Sequence, residues 1–282
     1  MTEVEILEEM LPLFAGDEKL YEDIEAKKAL LHTYCESVKH SVSGRKVSVK
    51  VAELAESLSG KAAWLKDHLR RTEWLEEGWF NSYYDNNGRR VEGKQADGSV
   101  RMMLTGQVFS VMSGTATKEQ TAQIAASADK YLYEKERGGY CLNTDFHELK
   151  TDMGRMFGFA YGHKENGAVF SHMTTMFGNA LYKRGFVQNG YKALDTLYRQ
   201  SADLEKSCIY PGIPEYFNDK GRGMYHYLTG AASWYLLTVL TEMFGVKGAY
   251  GDLILEPKLL SQQFDARGEA GVTALFGGRR IH

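Results

Sequence analysis

The chain has little cysteine, little proline and no long apolar run. Its three cysteines, Cys35, Cys141 and Cys208, are odd in number and far apart in 282 residues. Such a set argues against a disulfide framework or a Cys-based zinc site and fits a reducing compartment. Eight histidines occur, but none in an H-x-x-x-H or H-E-x-x-H pattern, so no metal is expected. The longest largely apolar stretch, about 231–240, is too short to span a bilayer. The opening Met1-Thr2-Glu3-Val4-Glu5 is acidic, with neither a basic n-region nor an apolar h-region. No signal peptide is therefore expected, and the expected location is cytoplasmic. A net charge of −3 provides no basic surplus for nucleic acid or an anionic membrane surface, so neither is expected as a partner.

What is present describes an ordinary globular chain. Hydrophobic residues make up 43% and charged residues 25%, and the length suits one large domain or one domain with a small appendage. Proline is scarce, at four residues, whereas glycine is frequent, at 29, and much of it is clustered. Clustered glycine places tight turns between compact elements. Seventeen tyrosines and four tryptophans offer flat faces with polar tips, suited to stacking on sugar rings. Core packing is the commoner use of such residues.

Periodicity predicts helices over 17–40 and again from Val51 to Leu69, where Val51, Leu54, Ala55, Leu58, Ala62, Leu65 and Leu69 form one apolar face. The aromatic segment Trp79–Tyr84, followed by Asn86-Asn87-Gly88, predicts a hairpin excursion. A short apolar helix is predicted over 104–113, and Thr117-x-x-Gln120 is a capping box for the next. Residues 134–166 read as loop. Helices follow at 168–184, 187–200 and 229–244, with a second long loop at 201–228. After Gly251 the pattern changes to strands, at 252–257 and 270–276. Helices alternating with long, Gly-rich loops suggest helical hairpins wrapped into a toroid, with the loops forming one functional rim; a simple bundle is the competing reading, and the length of the connections weighs against it.

Two clusters could carry chemistry. Gly162-His163-Lys164-Glu165-Asn166-Gly167 precedes a helix that opens near Ser171-His172. Its side chains can bind sugar hydroxyls and an anion together, although a solvated helix-capping loop is the commoner meaning of such a stretch. Gly221-Arg222-Gly223 leads through Thr229-Gly230 into the last helix. Free N–H groups and the positive dipole end make that helix start suited to an anion; a simple N-cap by Thr229 is the plainer alternative. Asp145, Glu148, Asp152, Glu165 and Glu215 are the loop carboxylates weighed for acid catalysis, and no spacing singles out a pair.

Together, Lys164-Glu165-Asn166-Gly167 with Ser171-His172, and Leu228-Thr229-Gly230 with Ser233-Trp234, resemble the cellobiose and chitobiose phosphorylases of glycoside hydrolase family 94. The Gly251–Pro257 turn and strand and the Gly88-Arg89-Arg90 hairpin are similar too, over about residues 50–260. The resemblance implies a mainly α chain: a partial (α/α)6 toroid of helical hairpins, with a short hairpin excursion and a small C-terminal β segment. It places the half-barrel at 1–246 and a truncated β segment at 247–282. It implies that His172, Thr229 and Gly230 bind phosphate and that Glu165 binds the non-reducing-end sugar. Lys164 and Glu215 are placed beside that sugar, Glu215 standing roughly where the family has a glutamine.

The implied activity is inverting phosphorolysis of a β-linked gluco-oligosaccharide or disaccharide to a sugar 1-phosphate. Inorganic phosphate is the co-substrate and no cofactor is needed. The family's general-acid aspartate sits in an Asp-Trp-Asn-Asp type motif that this chain lacks, so the acid is expected upstream of it. The chain therefore reads as a fragment, silent or nearly so alone, and its partner is expected to be a missing N-terminal half or a second copy. The alternatives are a non-catalytic sugar- or phosphate-binding module and a hydrolase on a similar helical barrel.

Overall fold

The structure, a computed structural model, describes residues 2–15, 20, 22–210, 212–226 and 230–282. It divides into two compact units, Met1–Thr72 and Glu73–His282.

In the first unit, β1 (Glu3–Leu7) pairs antiparallel with β2 (Lys46–Lys50). Lys46-Val47-Ser48-Val49-Lys50 alternates with period two, so Val47 and Val49 share a face. Between the strands lies α1 (Ile24–Val38), capped by Asp23, whose carboxylate accepts from Ala26 N at 2.9 Å. The predicted helix over 17–40 is thus shorter, and residues 16–19 and 21 of that span lie outside the described residues. The second predicted helix is present as α2 (Val51–Thr72). No residue of α1 or α2 is buried, so their apolar stripes find little cover within this unit.

The second unit holds the core and is mainly helical. Its longer helices are α3 (Leu104–Met112), α4 (Lys118–Tyr131), α5 (Ser171–Lys183), α6 (Val187–Ala202) and α7 (Gly230–Thr238). The capping box forms as expected: Thr117 Oγ1 accepts from Gln120 N, and the Gln120 side chain accepts from Thr117 N. Ser171 and every residue from Thr174 to Tyr182 are buried, because α5 packs against α3, α6 and α7. Val108 and Val111 of α3, Ile124 and Ala128 of α4, Phe177 and Leu181 of α5, and Ala193 of α6 meet in one cluster. Each large side chain fully buried there contributes roughly 1.5–3 kcal/mol.

Small sheets clamp the loops. β3 (Val169–Phe170), β4 (Tyr216–Phe217) and β5 (Gly223–Met224) form an antiparallel trio, with Phe170 opposite Tyr216 and Tyr216 opposite Met224. The hairpin around Asn86-Asn87-Gly88 is present, with Asp85 N donating to Arg89 O and Val91 N to Tyr83 O. At the C-terminal side, β6 (Val246–Ala249) pairs with β7 (Asp252–Leu255), and β8 (Ala274–Phe276) with β9 (Arg279–Ile281). The predicted helix over 229–244 ends its α-helical part at Thr238 and continues as a π-helical turn over Val239–Met243.

These connections gather three helix starts at one end. Leu104 N donates to Leu142 O, and Leu142 N donates to Ala168 O, so α3 and α5 begin side by side. Gly230, the first residue of α7, lies against His172 on the first turn of α5. The positive ends of three helix dipoles therefore face the same loops. No helix among the described residues is long and apolar enough to cross a membrane.

Candidate functional site

The site is built where α5 and α7 begin. His172 is the second residue of α5, one residue beyond β3, and the sheet fixes its direction: Ser171 N donates to Glu215 O, and Glu215 N donates to Tyr225 O. The His172 ring stands 6.3 Å from that of Trp234, centroid to centroid. A Cβ on residue 230 would stand 2.6 Å from His172 Cε1, so only glycine lets the helix start approach the imidazole this closely. Burial holds the His172 pKa below the ordinary value, which favours the neutral ring. Its Nε2 is buried with no hydrogen-bond partner among the described residues, and the same is true of Ser171 Oγ and Thr174 Oγ1. Buried polar atoms left unpaired are costly, and three on one helical turn mark a place suited to a polar ligand. Of the three expected phosphate ligands, His172 and Gly230 are thus brought together. Thr229 lies outside the described residues.

The Gly162–Gly167 loop is a tight turn with an internal bridge between His163 and Asn166. Asn143 holds it: its Oδ1 accepts from Gly167 N at 2.7 Å, and its Nδ2 donates to Asn166 Oδ1 at 3.2 Å. Nothing in the sequence around Asn143 announces this role, because both partners lie more than twenty residues away.

Lys164 and Glu215 meet, with Nζ to Oε2 at 3.1 Å. The Lys164 ammonium also lies 3.8 Å from the centre of the Tyr225 ring and 5.6 Å from that of Tyr216. Both Lys164 and Tyr225 have left-handed backbones, with φ of 49° and 58°. Such conformations cost on the order of 1–3 kcal/mol each and concentrate where a side chain must be aimed. Glu165 turns elsewhere. Its carboxylate pairs with Arg155 at 3.1 Å and lines a cleft of about 520 Å³ with Ser82, Tyr83, Met103 and Phe109. The expected sugar side is therefore split into a Lys164–Glu215–tyrosine cluster and a Glu165–Arg155 cleft.

The wall of that cleft rests on Glu92, a residue that sequence reading missed. Only 5% exposed, its carboxylate accepts from Ser82 N and Oγ and from Met103 N. Burial pushes its pKa up to about 7. It ties the hairpin to the start of α3. The other loop carboxylates are local fixtures. Asp145 accepts from His147 N, Glu148 pairs with Arg101 at 2.7 Å, and Asp152 accepts from Asn87 Nδ2. Arg222 is exposed at the turn between β4 and β5, where its N–H donates to Asn218 Oδ1. Among the described residues, no group of three or more His, Cys, Asp or Glu side chains could hold a metal ion.

Residues 41–245 match the model of the glycosyl hydrolase 94 superfamily, catalytic domain. The chain is 29% identical over 207 residues to an N,N'-diacetylchitobiose phosphorylase of Vibrio proteolyticus, covering 70% of this chain and 25% of that protein. It is 28% identical over 212 residues to a cellobionic acid phosphorylase of Neurospora crassa, covering 69% and 25%. A solabiose phosphorylase of Paenibacillus borealis is 26% identical over 215 residues, covering 72% and 27%. The chain spans about a quarter of the length of these relatives. With the family match extending over most of its length, this chain belongs to the glycosyl hydrolase 94 superfamily, through the catalytic domain.

Proposed function

We propose that this chain carries the phosphate- and sugar-holding side of an inverting glycoside phosphorylase, a hexosyltransferase that gives a sugar 1-phosphate. The observation that carries the reading is the buried, unpartnered Nε2 of His172 beside the glycine that opens α7. A neutral imidazole N–H and the N–H groups of a helix start suit a phosphate oxygen, and the dipoles of α5 and α7 favour its charge.

In this reading His172, Thr229 and Gly230 orient inorganic phosphate. Phosphate then attacks the anomeric carbon on the face opposite the leaving sugar. Because phosphate replaces the activated water of an inverting hydrolase, a single protein carboxylate is needed, as acid. That acid is an aspartate outside this chain, so His172 and the helix start contribute positioning and charge stabilisation. Lys164, Glu165 and Glu215 bind the sugar, Glu165 from the Arg155 cleft and the other two from the tyrosine cluster. The relatives' names differ in their disaccharide, so the substrate class is a β-linked glucoside-type disaccharide or oligosaccharide. No cofactor beyond phosphate is involved, and the setting is cytoplasmic.

The three rows of helix, α3, α5 and α7, form one arc of an (α/α)6 barrel in this reading. The exposed Leu236 and Leu237 on α7 and Phe109 on α3 are then covered by the remaining helices, or by a second copy of this chain. A phosphorolysis assay on β-linked gluco-oligosaccharides tests the proposal. The chain alone is expected to be silent, and adding a separately expressed N-terminal half is expected to restore phosphate-dependent release of sugar 1-phosphate. Robust activity from residues 1–282 alone, or hydrolysis without phosphate, would overturn it.

A further inference from the structure

The opposite ends of α5 and α7 carry a second cleft, of about 620 Å³, lined by Asn179, Thr241, Glu242, Lys247, Lys258 and Phe276 among others. Its size lies within the roughly 300–1,000 Å³ range of small-molecule sites. Asn179 is seven residues along α5 from His172, roughly 10 Å at the helical rise, so this cleft is separate from the site above.

Its chemistry is unusual for a surface groove. The Glu242 side chain is 2% exposed, and its Oε2 takes both Lys247, at 3.2 Å, and Lys258, at 3.0 Å. Glu242 sits in the π-helical turn over Val239–Met243, a widened helical geometry found often at functional positions. Asn179 is completely buried. Its Nδ2 donates to Thr238 Oγ1 at 3.1 Å, while its Oδ1 has no partner among the described residues. Phe276 leans over β6, where a Cβ on residue 248 would stand 2.8 Å from its Cζ. The tip of the ring thus points at Gly248, beside the cleft.

Charge decides the ligand class. Lys183, Lys247 and Lys258 face Glu242 and Glu256 around the cleft, and two of the three lysines are already committed to Glu242. Little free charge remains for an ion. What remains are the unpartnered Asn179 Oδ1 and the Thr241 hydroxyl along one wall, with the Phe276 ring beside them, a set that matches hydroxyl groups on a ring with an apolar face.

We propose that this cleft is a second carbohydrate site, which holds a neutral glycosyl unit between the Glu242–Asn179–Lys247 wall and the Phe276 ring. It stands independently of the phosphate reading. Its effect would be to keep a glycan on the protein at a distance from the His172 end.

Amide NMR spectra and calorimetric titration of the full chain with a β-1,4-linked glucotetraose test it. Shifts are expected at residues 237–248 and 274–276. Phe276→Ala should weaken that binding by roughly two- to tenfold, and Glu242→Gln by about tenfold. Neither should alter the affinity for inorganic phosphate, and His172→Ala should leave the sugar shifts at this cleft in place. Should Glu242→Gln lower the melting temperature, the variant at the partly buried Phe276 decides. Absence of shifts at these amides, or unchanged sugar binding in Phe276→Ala, overturns the proposal. So does a response to phosphate in place of sugar. Sugar shifts confined to residues 162–230 would also overturn it while leaving the proposed function standing.

Discussion

Gly230 lies against the imidazole of His172, so that a Cβ on residue 230 would stand 2.9 Å from Nε2. The contact joins the first residue of α7 to the first turn of α5, and it sets where a ligand oxygen could meet both. Gly230→Ala must push the ring or the helix start aside, at a strain of about 1–3 kcal/mol. The expected result is a phosphate affinity at least about tenfold lower, with the far-ultraviolet circular dichroism unchanged. Calorimetric titration with inorganic phosphate checks this; unaltered affinity would place the anion elsewhere.

Glu92 makes stability depend on pH. Its carboxyl is raised from 4.5 to about 7 by burial, so the folded chain holds a proton that the unfolded chain releases. The contribution is complete below pH 4.5 and is lost as pH rises through about 7. A shift of this size corresponds to about 3 kcal/mol. Glu92→Gln should remove this slope from urea-unfolding curves collected between pH 4.5 and 7.5. It should also lower stability by about 1–3 kcal/mol, because its amide NH₂ then faces donors such as Met103 N. A slope identical to that of the parent chain would show that Glu92 is ionised throughout.

Asn143 is 1% exposed and holds the Gly162–Gly167 turn through Gly167 N and Asn166. Asn143→Ala leaves a buried N–H and a buried amide oxygen unpaired, at a cost of about 2 kcal/mol. Hydrogen exchange at Gly167 is expected to accelerate by more than about tenfold, with the amides of α6 protected as before. Unchanged exchange at Gly167 would mean that the turn holds itself.

The legible parts of this protein are those whose hydrogen bonds close within a few residues. The Thr117–Gln120 capping box, the α2 and α3 stripes and the turn at Asn86-Asn87-Gly88 all follow from neighbours in the chain, as does the helical stretch Val187–Ala202. The motif residues Lys164, Glu165, His172 and Gly230 were visible as well, because glycine-rich clusters before helices mark where a backbone can meet a ligand.

Less legible were the pairings that span long stretches of chain. Lys46–Lys50 alternates as a strand should, but its partner Glu3–Leu7 lies beyond a helix, and no local signal joins them. The conversion of the last helix to a π-helical turn over Val239–Met243 likewise has no local signal in the sequence reading.

The amino-acid sequence by itself determined most of the helices and the Thr117–Gln120 cap, and it marked the groups proposed to hold a phosphate and a sugar, because propensity and hydrogen-bonding chemistry are local properties. Tertiary structure alone decided how those groups are shared out. It placed Gly230 on the His172 ring, turned Lys164 to Glu215 and its neighbour Glu165 to Arg155, and buried Glu92 and Glu242. Burial and side-chain direction arise from the packing of helices distant in sequence, and a carboxylate's proton affinity changes only when that packing removes its water.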